Sequence, residues 1–73
     1  MTPEQQTHAT LDALAKRVHG TPKAARGAHW QMAKRRVTDA RMFVTRNPDH
    51  CARLVGEAQQ LLATVDALAE VRT

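Results

Sequence analysis

The stretch PDHCARLVGEAQQLLATVDALAEV, residues 48–71, decides the fold. Cys51, Leu54, Ala58, Leu61, Val65 and Leu68 recur at alternating spacings of three and four, which is a heptad seam. Val55, Leu62 and Ala69 lie beside that seam and widen it, and Gly56 falls on the polar side. The start carries helix punctuation: Asn47 as N-cap, Pro48 at the first helical position, and Asp49 at the positive end of the helix dipole. At 1.5 Å per residue this helix runs roughly 36 Å. A compact chain of this size has a radius of gyration of only about 11 Å. The last helix is therefore expected to project from a compact monomer or to run along a second copy, with Leu54, Leu61 and Leu68 as a homodimer seam. The other reading of the same residues is an antiparallel three-helix bundle.

Working back towards the amino terminus, residues 22–46 read as a second helix. Thr21-Pro22 is a cap followed by proline. Gly27 interrupts, and a glycine in mid-helix costs about 1 kcal/mol relative to alanine. Ala24, Ala25 and Ala28 favour an unbroken helix from Pro22 to Arg46, and a short helix that turns at Gly27 into a second one from about Ala28 is the alternative. On a helical wheel Ala33, Val37, Ala40 and Val44 form a narrow apolar sector, with Trp30 and Phe43 at its flanks. Trp30 is expected in the core. Residues 3–19 form the first helix: Thr2, Pro3 and Gln5 make a capping box, Leu11, Leu14, Ala15 and Val18 the stripe, and Gly20 the stop. The fold class is all-α, a small bundle of three helices or four short ones, in a single domain spanning 1–73.

The chain of 73 residues has one cysteine and only two aromatic residues, Trp30 and Phe43. No disulfide staples so small a core, so helix packing or a partner must stabilise it. No run approaches the ~18 apolar residues of a membrane helix. The polar start and the free thiol read as a cytoplasmic protein. His8, His19, His29, His50 and Cys51 include no pair at i, i+4, and the seven acids are scattered, so neither a metal site nor a cofactor nor an acid–base pair is expected. Cys51 sits on the apolar seam and reads as a small hydrophobe rather than a nucleophile. The chain is not expected to be an enzyme.

Charge is the remaining functional signal. Between residues 16 and 46, nine Lys and Arg stand against Asp39 alone, while both ends are mildly acidic and the whole chain carries +4. Lys34, Arg35, Arg36, Arg41 and Arg46 surround one helix, and Gln31, Arg35, Thr38 and Met42 share a face at helical spacing. Such cations contact phosphate, and Gln or Arg reads base edges. The expected site is therefore Gln31, Lys34, Arg35, Arg36, Arg41 and Arg46.

The stretch Leu14-Ala15-Lys16-Arg17-Val18-His19-Gly20-Thr21-Pro22-Lys23-Ala24-Ala25 resembles the start of a helix-turn-helix, with Val18 and Gly20 near the characteristic apolar and glycine places. It departs from that motif by an additional turn residue, by Ala25 where a branched apolar residue packs, and by Gly27 inside the recognition helix. The resemblance implies DNA as partner. Two functions follow: a DNA-binding transcriptional regulator, or a small phage- or plasmid-type protein whose basic face docks on an acidic protein surface such as one on RNA polymerase. A purely structural helical dimer is the third.

Overall fold

The computed structural model describes the backbone of residues 2–72 and the side chains of residues 2–70. Three helices are present, α1 (Pro3–Gly20), α2 (Ala28–Phe43) and α3 (Pro48–Arg72), with a 3-10 turn at Lys23–Ala25 and no strand among the described residues. The helix starts form as their residues dictate. Thr2 Oγ1 accepts from the Gln5 N–H at 3.2 Å, and Gln5 Oε1 accepts from the Thr2 N–H at 3.1 Å. Asn47 Oδ1 accepts from the His50 N–H at 3.1 Å, directly ahead of Pro48. Each cap satisfies a backbone donor that the helix leaves unpaired.

Two helix boundaries differ from expectation. Gly20 does not stop α1 through a left-handed turn, because no described residue has positive φ. Pro22 stops it: the residue before a proline is pushed out of the helical region, and Thr21 is extended at φ −67, ψ 128. The unbroken helix from Pro22 to Arg46 is not formed either; the alternative holds, with a short turn at Lys23–Ala25 and a separate helix starting at Ala28. Arg26 lies at φ −85, ψ 68, and the Gly27 N–H donates to Ala25 O at 3.0 Å, an inverse γ-turn. Gly27 then caps α2 at φ −92, ψ −157. The break lets the Arg26 side chain reach back to α1, and those tertiary bonds outweigh the helix preference of the neighbouring alanines. Val44 to Arg46 follow α2 as a turn, so Arg46 stands just beyond the helix.

α1 runs up, α2 down and α3 up. An ion pair joins each helix pair: Arg17–Asp66 at 2.9 Å between α1 and α3, Arg41–Asp12 at 3.2 Å between α2 and α1, and Arg36–Glu57 at 2.9 Å between α2 and α3. The core comprises Leu11, Leu14 and Val18 of α1, Trp30, Ala33, Val37 and Ala40 of α2 with Val44, and Cys51, Leu54, Ala58, Leu62 and Val65 of α3. Ala33, Ala40 and Ala58 are wholly buried, so α2 and α3 approach closely where their side chains are smallest. Burial pushes the Cys51 thiol up from its ordinary value.

The buried row of α3 is not the strict heptad. It passes through Leu62 rather than Leu61, and Leu68 is 44% exposed. A straight helix drifts about 20° per heptad relative to a 3.5-residue repeat, so the inward position slips by one residue along its length. The homodimer seam expected through Leu54, Leu61 and Leu68 is corrected accordingly. Leu54 is consumed by the chain's own core, Leu61 is half-buried, and only Leu68 is open. Nor does the length of α3 demand a second copy. The molecule measures 41 × 20 × 15 Å, so the helix spans its long axis, and the segment Thr21–Ala25 lies against Val65 and Ala69 near its far end.

Gly56 sits within α3, where an added Cβ meets nothing within 4 Å. Gly56→Ala is expected to stabilise the bundle by about 1 kcal/mol and to raise the thermal midpoint by roughly 4–8 °C. A thermal melt followed by circular dichroism checks this, and a lowered midpoint contradicts the open surroundings of that residue.

Candidate nucleic-acid interface

The antiparallel return of α2 sorts the basic residues into two groups. Those at the edges of the apolar stripe face a neighbouring helix, and those opposite it face water. Arg36 points towards α3, where its Nε is 2.9 Å from Glu57 Oε2. That Nε is shielded from water and misaligned for a hydrogen bond, so the contact is purely ionic. Arg41 points towards α1 and donates to Asp12 Oδ1 at 3.2 Å. Of the six expected site residues, these two are therefore paired with acids of neighbouring helices.

Gln31, Arg35 and Arg46 are exposed, and among the described residues neither Arg35 nor Arg46 has an ion-pair partner. Thr38 and Met42 accompany them on the outward side of α2, and Met42 is 58% exposed. Lys34 is placed between the groups. Its Nζ lies 5.4 Å from the centre of the Trp30 ring, a cation–π contact on the α1 side. The structure thus leaves Gln31 and Arg35 on the outward side of α2 with Arg46 just beyond its end, turns Lys34 towards Trp30 on the α1 side, and directs Arg36 and Arg41 to opposite flanks.

Trp30 is buried, as its place at the edge of the stripe implied. Its indole Nε1–H donates to Val18 O at 2.8 Å, which satisfies a buried donor and a carbonyl at the end of α1 together. Arg26 covers the ring at 4.8 Å and donates to His19 O and Thr21 O, both at 3.0 Å. A guanidinium at a helix carboxyl end satisfies orphan carbonyls and complements the dipole. With Arg26 and Lys34 over its ring, Trp30 is not presented for stacking on a base.

The role of Arg26 was not visible in the residue pattern, since its partners lie five and seven positions back across a turn. The ion-pair role of Asp12 was equally hidden, because it depends on which helix packs beside α1. The helix-turn-helix resemblance does not extend to geometry. Seven residues, not a tight turn, separate α1 from α2, and α2 returns alongside α1 through the Asp12–Arg41 and Val18–Trp30 contacts.

Between α1 and α2 lies an open cleft of about 270 Å³, lined by Ala15, Val18, His19, Lys34, Val37, Thr38 and Arg41. Among the described residues, no three His, Cys, Asp or Glu side chains converge as they would to hold a metal ion. No helix is long and apolar enough to cross a membrane, among the residues searched. Comparison with models of known protein families, with curated proteins and with solved structures finds no match.

Proposed function

We propose that the chain is a small, non-enzymatic, DNA-binding regulator that grips phosphates through the outward side of α2 and its α1 flank. The sorting of cations carries this reading. Arginines at the helix seams are matched one to one with acids, whereas Lys34, Arg35 and Arg46 have no carboxylate of the described residues within ion-pair distance. Asp39 is the one acid on that side of α2, whereas a face that served solubility alone would mix the two signs evenly, as the seams do. The revised contact set is Gln31, Lys34, Arg35 and Arg46, with Arg41 contributing from the flank. Without a helix-turn-helix, phosphate contacts supply most of the affinity, and the base-reading capacity of Gln31 and Arg35 is secondary.

Titration of a fluorescently labelled duplex, followed by anisotropy at several salt concentrations, tests the proposal. Binding at low salt should weaken along a log–log slope of roughly −3, close to one unit for each of three unpaired cations. Absence of binding at low salt removes DNA as the partner. The same cationic face then fits an acidic protein surface, for which purified RNA polymerase is the first candidate to titrate.

A further inference from the structure

We infer that the α1–α2 cleft is a phosphate site held by a resident carboxylate, Asp12, which nucleic acid must displace from Arg41. The inference rests on the DNA-binding reading and names the place where one backbone phosphate sits.

Two clefts on the other helix seams are lined by both members of an ion pair, Arg36 with Glu57 between α2 and α3 and Arg17 with Asp66 at the end of α1, and the cleft between the starts of α1 and α3 carries no charged residue. The α1–α2 cleft differs. Lys34, Arg41 and His19 line it and no acid does. Ala15, Val18 and Val37 give it an apolar side beside those cations, and a low-dielectric wall strengthens charge–charge contact along it. The Thr38 hydroxyl already donates to Lys34 O at 3.1 Å, so the donors left for a ligand are the ammonium, the guanidinium and the imidazole.

Asp12 reaches Arg41 from outside this wall through a single bond of 3.2 Å, with the two side chains 70% and 49% exposed. An exposed, single-contact pair contributes little to stability. A backbone phosphate, by contrast, has two non-bridging oxygens, so it can give one to the guanidinium of Arg41 and the other to the ammonium of Lys34, and its charge meets both cations at once. The carboxylate therefore occupies the arginine cheaply and yields it to a stronger anion. Asp12 and His19 lie two turns apart on one flank of α1, so the acid stands at one end of the cleft and the imidazole at the other.

The test compares Asp12→Asn with Asp66→Asn, which removes an equally charged acid from the Arg17 seam. Asp12→Asn is expected to tighten duplex DNA binding about three- to tenfold, and Asp66→Asn to shift it by less than twofold. Equal shifts in the two variants overturn the inference, since net charge alone then accounts for both. A second measurement reads the cleft without DNA. Pyrophosphate titrated into the intact protein should change Trp30 fluorescence saturably, because Lys34 packs on that ring, and Lys34→Ala should abolish the change. A pyrophosphate response without DNA binding retains the cleft site and removes the nucleic-acid reading. DNA binding with equal variant shifts and no pyrophosphate response does the reverse.

Discussion

Leu62→Asp unfolds the protein, while Leu61→Asp leaves a folded bundle. The two residues are neighbours of the same type, and only their direction separates them. Leu62 is 2% exposed at the centre of the core, whereas Leu61 is half-buried at the α2–α3 border. Removing a buried leucine side chain costs roughly 2–5 kcal/mol before any charge is considered. Placing a carboxylate in the space adds desolvation, or the cost of protonating it. A chain of this size has only about 4–11 kcal/mol of stability to lose. At Leu61 the carboxylate turns to water, and the loss stays near 1–2 kcal/mol. Far-UV circular dichroism with thermal melting distinguishes them. A cooperative melt for Leu62→Asp close to that of the wild type contradicts the register of α3.

Charge reversal at Arg35 and Arg46 together is expected to lower duplex affinity about a hundredfold at low salt and to flatten the salt slope by roughly two units. Helix content should not change, because neither side chain forms an ion pair among the described residues. Arg36→Glu behaves differently. It faces Glu57 across the α2–α3 seam, so its first effect is repulsion within the bundle and a lower melting temperature. Measuring both variants by anisotropy and by thermal melt separates binding from stability. Undiminished DNA affinity in the Arg35→Glu, Arg46→Glu double variant removes the outward side of α2 as the interface.

The residue pattern carried the local structure well where the causes are local. The Thr2–Gln5 box and the Asn47–Pro48 start depend on residues within three positions of each other, and both form. The apolar sector of α2, Trp30 to Val44, is buried as its periodicity implied. The site was legible only as a charge imbalance. Sequence groups Lys34, Arg35 and Arg36 as consecutive residues, but about 100° of rotation per residue sends them to three directions. Their fates diverge accordingly: Lys34 meets Trp30, Arg35 meets water, and Arg36 meets Glu57.

By itself, then, the sequence determined an all-helical chain, its helix starts, most of its inward-facing residues and a basic middle. Periodicity, capping chemistry and composition act over a few residues and need no knowledge of neighbours. Tertiary structure alone decided that the chain breaks at Arg26, that α3 buries Leu62 in place of Leu61, and that Arg36 and Arg41 are matched by Glu57 and Asp12. The break at Arg26 rests on bonds reaching five and seven residues back across a turn, and the others on contacts between groups whose meeting is set by how three helices pack rather than by their spacing along the chain.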